Sequence, residues 1–359
     1  MQIFSNPNRD VSTPKPTPGS YEWWYFDAIS IDNQYSLVII FYEGNPFSRR
    51  YIDAIQDGQN DRADDYPAIS ISIYKEDEPI FYSFEEVMPG NAEFSSDTPF
   101  GRVKGNSFKQ VPSENGALAY RLNLDQIIPN GDRLVGNLRF ESSDKGPFSD
   151  VTKNDDQNNE SLHKWNLVQA RASVNGQLSI EGLHPETIKI AGTGYHDHNT
   201  GMEPMKESFV DWYWGRVHFN GSTLIYYLMN EEKGVDNRAW LIDSNNLVTE
   251  MNGECELSDV GLNMFGLKSA RKIEMNAVDD SFLIQQEKTL DDGPFYQRFR
   301  SRMMLNLNGE LHQAKGISEY ICPGRIHMKL FRPLVNMRIQ YPGKVHWVQK
   351  SPRLYRWTW

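Results

Sequence analysis

The sequence predicts an all-β protein built from two related antiparallel domains in tandem. Three observations carry this. Short apolar runs recur between clusters of Gly, Pro, Asn and Asp, the pattern of strands and turns. Helical periodicity is missing from every long window, with a short piece near Ser48–Gln56 as the exception. One acidic–Trp–aromatic hairpin occurs twice, from Glu22 and again from Asp211, about half the chain apart.

The elements follow in order. Residues 1–19 are polar and carry Pro14, Pro16, Pro18 and Gly19, which predicts an extended arm. A strand from Tyr21 to Ser30, a turn at Asp32-Asn33 and a strand from Tyr35 to Tyr42 form the first hairpin. Further strands are expected at 68–74, 80–84, 107–111, 117–124 and 134–140. The stretch 142–161 is rich in Asp, Asn, Ser and Lys and reads as a long solvated loop. Strands resume at 163–174, 177–181 and 187–190. The second hairpin runs from Asp211 to Phe219, turns at Asn220-Gly221 and returns from Thr223 to Met229. Many short strands with polar turns mean a sandwich or a barrel. The expected division is an arm over 1–19, a first domain over 20–190 and a second over 191–359.

Bulk properties narrow the function classes. The chain has 359 residues, 39% hydrophobic and 24% charged, as in soluble globular proteins. A net charge of −11 argues against nonspecific nucleic-acid binding and against electrostatic docking on an anionic membrane. Basic residues do cluster locally at Arg325, His327, Lys329, Arg332 and Arg338. The 2 cysteines, Cys255 and Cys322, imply no disulfide framework and favour free thiols over a single bridge. The N-terminus lacks the basic and apolar regions of a signal peptide, and no apolar run reaches a membrane span, so a soluble cytoplasmic protein is expected.

Strand alternation divides the repeated tetrads. Glu22 and Trp24 share one face, Trp23 and Tyr25 the other; Asp211 and Tyr213 share a face opposite Trp212 and Trp214. A carboxyl beside aromatics on an inward face is expensive unless it is hydrogen-bonded or protonated. It either caps a barrel end through hydrogen bonds or stands as an acid of raised pKa in an apolar cavity. The densest polar stretch is Gly192-Thr193-Gly194-Tyr195-His196-Asp197-His198-Asn199-Thr200-Gly201. Its flanking glycines would allow special backbone geometry. Three readings stay open: a metal site on His196 and His198 completed by Glu203 or Asp211, acid–base groups in an apolar pocket, or a latch of hydrogen bonds across the two domains. No Gly-x-Ser-x-Gly, P-loop or dinucleotide fingerprint is present, and nothing implies a nucleotide cofactor.

The stretch from Gly192 to Asn199, followed by Asp211-Trp212-Tyr213-Trp214-Gly215-Arg216, resembles the signature of the hydroxyneurosporene synthase (carotenoid 1,2-hydratase) family. Tyr21 to Asp27 and His163-Lys164-Trp165 fit the same pattern, and the likeness spans roughly residues 15–330. It implies two tandem lipocalin-like antiparallel β-barrels, a fold shared with fungal decalin-forming Diels–Alderases and, more distantly, tocopherol cyclase. It further implies cofactor-independent chemistry, without metal, on a hydrophobic polyene, terpenoid or prenylated small molecule. Hydration or cyclisation started by protonating a C=C bond is the expected reaction. A pericyclic ring closure and a non-catalytic carrier of an apolar ligand are the alternatives. The family often has an aromatic residue where this chain has Thr200, which fits a relative with another substrate. Candidate catalytic residues are His196, Asp197, His198, Asp211 and Glu22, with Asp197 and a neighbouring histidine as the proton relay. Candidate substrate-binding residues are Trp23, Trp24, Tyr25, Tyr195, Asn199, Trp212, Tyr213, Trp214 and Arg216. Membrane contact is expected to be at most transient, to collect substrate. The chemistry is expected where the second hairpin meets the His-Asp-His-Asn stretch.

Overall fold

The computed structural model describes residues 1–359 apart from 115, 143–162, 233, 246, 252, 277–279 and 356–359. The expected loop at 142–161 lies, beyond Ser142, outside the described residues. The described residues divide into two compact units, Met1–Met205 with the segment from Arg332 to Tyr355, and Lys206–Phe331. Each is built on one curled antiparallel sheet, and the fold is the expected all-β, lipocalin-like one.

The first sheet contains β1 (Gln2–Phe4), β2 (Tyr21–Ser30), β3 (Tyr35–Glu43), β4 (Ala68–Lys75), β5 (Glu78–Glu86), β6 (Ala92–Phe94), β7 (Phe100–Val103), β8 (Asn106–Val111), β9 (Ala119–Ile127), β10 (Arg133–Ser142), β11 (His163–Glu181) and β12 (Glu186–Gly201). Its order is β5-β4-β3-β2-β12-β11-β10-β9-β8-β7-β6, with β1 pairing β11 in parallel. The second sheet contains β13 (Asp211–Phe219), β14 (Ser222–Glu231), β15 (Gly234–Asp243), β16 (Val248–Glu250), β17 (Glu254–Leu262), β18 (Lys268–Asn276), β19 (Ser281–Asp292), β20 (Tyr296–Leu307) and β21 (Glu310–Ile321). Its order is β16-β15-β14-β13-β21-β20-β19-β18-β17. In both, the opening hairpin pairs on its free side with the last strand of the sheet. The duplication read from the hairpins therefore extends to the whole topology.

Alternation sets the cores. Trp24, Phe26, Ile39, Phe41, Phe108, Leu122 and Leu138 fill the interior of the first sheet. Tyr213, Val217, Tyr226, Ile273, Phe299 and Met303 fill that of the second. Each such side chain stabilises by about 1.5–3 kcal/mol when fully buried. The one expected helix, α1 (Arg49–Gln56), is present, with Ser48 Oγ accepting from Tyr51 N at its N-terminus.

Two features differ from the sequence reading. The expected division at residues 190 and 191 falls inside β12. That strand pairs with both β11 and β2, so it completes the first sheet and cannot open the second domain. The glycines of β12 also serve another purpose than special dihedrals. A side chain at Gly194 would meet Asp27 O, Val174 and Phe140, and one at Gly201 would meet the ring of Tyr21. They are bare because neighbours press on them.

The segment from Arg332 on returns to the first unit. Arg332 reaches Asp53 at 2.9 Å, and Gln340 bonds backbone to backbone with Phe84 and Glu86 on the edge strand β5. This covers an edge that would otherwise be open to pairing. Glu85 on β5 also accepts from Lys104 and from Gln126 Nε2 at 2.9 Å, tying the two ends of the sheet together through side chains. Cys255 and Cys322 are free and half-buried. Among the described residues no helix is long and apolar enough to cross a membrane.

Candidate active site

β12 carries two different polar assemblies on its two faces. The register places His198 opposite Trp24 and His196 opposite Phe26, both core residues, so the histidines point inward. Tyr195, Asp197 and Asn199 point to the outer face, as period-two geometry requires. The expected relay of Asp197 with His196 or His198 is therefore not assembled: the strand lies between them.

The inner assembly is a buried charge network that fastens the N-terminal arm. His196 stacks on Phe26 at 3.9 Å and His198 on Trp24 at 4.5 Å. His196 Nδ1 lies 3.0 Å from Tyr25 O, an obligate acceptor, so that nitrogen carries hydrogen and donates. Its Nε2 lies 3.0 Å from Asp10 Oδ2, which also accepts from the Tyr120 hydroxyl at 2.5 Å. His198 Nε2 lies 2.8 Å from Glu22 Oε1, and its Nδ1 lies 3.4 Å from Asp10 Oδ1. Burial disfavours the imidazolium of His198, but the hydrogen bond and charge of Glu22, with the charge of Asp10, outweigh it and raise its pKa. Burial likewise works against the Glu22 carboxylate, and His198 and Lys15 reverse it, so its pKa is lowered. Glu22 also accepts from Thr13 N and Oγ1 and from Lys15 Nζ at 2.5 Å. Of the two readings of the inward carboxyl, Glu22 takes the hydrogen-bonded one.

The outer assembly is organised around Asp197. Its Oδ2 accepts from Trp165 Nε1 and from the Tyr195 hydroxyl, each at 2.8 Å, and its Oδ1 accepts from Asn199 Nδ2 at 2.9 Å. Burial, then the charge of Asp197, pushes the Tyr195 phenol well up, so it stays a neutral donor. Aromatic rings flank the group. Trp165 and Trp23 lie on either side of Asn199 in one cross-strand row, and Tyr25 lies beside Asp197 in the next. Tyr25 meets Tyr195 edge-on at 6.1 Å, and Trp23 stacks on Tyr21 at 5.3 Å. The Tyr21 ring lies across the bare Gly201 to bring its hydroxyl within 2.7 Å of His163 Nδ1. Burial, with the distant N-terminal charge, lowers His163 to about 3, so this imidazole is neutral.

The second hairpin belongs to the other sheet. Asp211 and Tyr213 point inward and Trp212, Trp214 and Arg216 outward, with Trp212, Tyr213, Trp214 and Arg216 all buried. Asp211 accepts from Asn230 Nδ2 at 2.5 Å, and its pKa is raised by burial against the hydrogen bonds of Asn230 and Tyr320. By register, the counterparts of His198, Asp197 and His196 are Tyr320, Glu319 and Ser318 on β21. The second copy has no histidine pair. Within the first sheet, the His-Asp-His-Asn stretch pairs with the first hairpin.

Among the described residues no group of three or more His, Cys, Asp or Glu is arranged to hold a metal ion. The family model for the carotenoid hydratase CrtC matches residues 109–350. The chain belongs to this family. It is 30% identical to the hydroxyneurosporene dehydrogenase of Chlorobaculum tepidum, over 91% of this chain and 89% of the relative. It is 23% identical to the acyclic carotenoid 1,2-hydratase of Thiocapsa roseopersicina, over 86% of this chain and 71% of the relative. Among solved structures it is similar to kievitone hydratase from Nectria haematococca, with a TM-score of 0.57 at 14% identity over 88% of this chain and 92% of that one. A structure of CghA gives 0.57 at 13% identity, over 85% and 88%. These two share the fold. A CrtC-family chain is an enzyme of the hydro-lyase or cyclase type.

The structure gathers the sequence-expected Asp197, Tyr195, Asn199 and Trp23 on one face of the sheet, and it adds to the inner network Asp10, Lys15 and Tyr120, which sequence reasoning overlooked. The first two sit in the proline-containing arm, where no local pattern marks them. Trp165 and His163 were noted only as part of the family's pattern; their place beside β12 needs the strand pairing.

Proposed function

We propose that the enzyme protonates a carbon–carbon double bond of an acyclic, hydrophobic polyene and that water captures the resulting cation. Asp197 is the acid. The observation that carries this is its setting: a buried carboxyl receiving hydrogen bonds from Trp165, Tyr195 and Asn199 among outward-facing aromatic rings. An isolated alkene is a feeble base, so the proton must come from a group whose conjugate base is stabilised in advance. Three preorganised donors do that for the Asp197 carboxylate, in a site where they need not reorganise as charge develops. Proton transfer to one alkene carbon leaves a tertiary cation on the other. The faces of Trp23, Tyr25 and Trp165 can stabilise that cation, each by about 0.5–2 kcal/mol. Water adds, and its proton returns to Asp197, so the enzyme is regenerated without a cofactor. The acyclic carotenoid 1,2-hydratases among the relatives support a polyene of that kind as substrate.

The test is turnover of an acyclic carotenoid with free terminal isoprene units in deuterium oxide. Solvent deuterium is expected on carbon in the hydrated product. A product formed with no deuterium on carbon would overturn the protonation and point instead to a concerted ring closure.

A further inference from the structure

We infer that the side-chain oxygen of Asn199 holds the water that captures the cation. This rests on Asp197 being the acid. Asn199 is 1% exposed, and its Oδ1 is buried with no hydrogen-bond partner. Nδ2 donates to Asp197 Oδ1, the arrangement required by the carboxylate that remains once the proton has been given up, and this turns Oδ1 away from it. A buried carbonyl left unmatched costs about 1–3 kcal/mol. Such a group calls for a partner that comes and goes, and water, the co-substrate, can donate a hydrogen to it.

The surroundings narrow the choice to water. Asn199 sits between Trp165 and Trp23 in one row across three strands. Its oxygen is an acceptor without a hydrogen-bond partner on a side chain flanked in the row by two indoles, which suit an apolar chain or a cation. A water donating one hydrogen to Oδ1 keeps its lone pairs free for the cation. It also stands beside the carboxylate that has just lost its proton, because the same amide contacts both. The step balances. A lone pair of the water oxygen forms the C–O bond at the cationic carbon, one O–H bond of the oxonium breaks, and that proton passes to Asp197. The amide oxygen is a poor base and takes no proton.

Without the water, the cation has one other exit: it returns a proton to Asp197 and becomes an alkene again, labelled if the solvent is deuterium oxide. The ratio of hydrated product to labelled alkene therefore reports water capture separately from protonation. Asn199→Leu removes the acceptor and is expected to lower that ratio at least tenfold. Asn199→Asp keeps an oxygen at the position and is expected to retain the ratio to within a few-fold, even if both rates fall. Equal losses of hydration and labelling in Asn199→Leu, with the ratio kept, would overturn the inference and leave Asn199 as a donor to Asp197 only. A substrate hydroxyl as the true partner would show instead as a raised KM with an unchanged ratio, which also overturns it. If Asn199→Leu does not fold, Asn199→Ala, which also lacks the acceptor, is read on the same ratio. Absence of label from the wild-type reaction would overturn the Asp197 reading itself, a result distinct from any of these.

Discussion

Asp197→Asn keeps the shape of the outer assembly and removes its acid. Hydration is expected to fall by a factor on the order of 10²–10⁴, the usual worth of a positioned proton donor. Full activity in that variant, measured as product formed per mole of folded protein, would remove Asp197 from the mechanism. Tyr195→Phe and Trp165→Phe each delete one hydrogen bond to the carboxylate, worth about 1.5–3 kcal/mol, so each should slow the reaction roughly ten- to hundredfold. His163 makes a different kind of prediction, in stability against pH. Burial, first of all, lowers its pKa from 6.5 to about 3. Below pH 6.5 the unfolded chain therefore takes up a proton that the folded chain refuses. Stability is complete above that value and declines by about 1.4 kcal/mol per pH unit as the pH falls toward 3. His198 acts oppositely: its raised pKa gives a contribution that is full below 6.5 and lost as the pH rises through its folded value. Denaturant titrations over this range should show the acid-side slope flattening in His163→Gln. An unchanged slope would mean that this imidazole is charged in the folded protein.

At the scale of elements, the arm and β12 depend on each other. Lys15 is 6% exposed and reaches Glu22 at 2.5 Å and Glu43 at 2.9 Å. Lys15→Ala leaves half-buried Glu43 beside buried Glu22 without their shared cation, which should cost on the order of 3 kcal/mol. The expected signs are a lower melting temperature and a protease-sensitive N-terminus; an unshifted melting temperature would show that the arm contributes no fastening. Much of this was legible from the chain. The hairpins at Tyr21–Tyr42 and Asp211–Met229 were found from alternating apolar residues and turn signals, because those signals are local. That Glu22 and Trp24 share a face followed from the same alternation, while which face is inward needed the sheet. Applied to His196, Asp197 and His198, it would also have separated the histidines from the aspartate. The glycines around them instead suggested irregular backbone, and only strand pairing shows that they make room for Tyr21, Phe140 and Val174.

At the scale of the molecule, two units of related topology carry different side chains at matching positions. The second keeps Tyr320, Glu319 and Ser318 where the first has His198, Asp197 and His196. Tyr320→Phe and Ser318→Ala should therefore change thermal stability modestly and leave deuterium incorporation per folded molecule unchanged. A loss of label in either would mean that the second unit takes part in proton transfer. The segment from Arg332 on, which returns to β5, was beyond the sequence reading because nothing in its composition names its distant partner. β12 itself has one more consequence. Its inner side chains fasten an arm and its outer ones hold the proposed acid, so a one-residue insertion or deletion would exchange them, sending a carboxylate into the hydrophobic interior and two imidazoles out. Selection can trade side chains along this strand but cannot change its length. The irregularities that the sheet tolerates here fall on β11, where the register shifts between Leu167 and Ala172. Variation among working relatives should thus be all substitution along β12, with insertions confined to the turns at its ends.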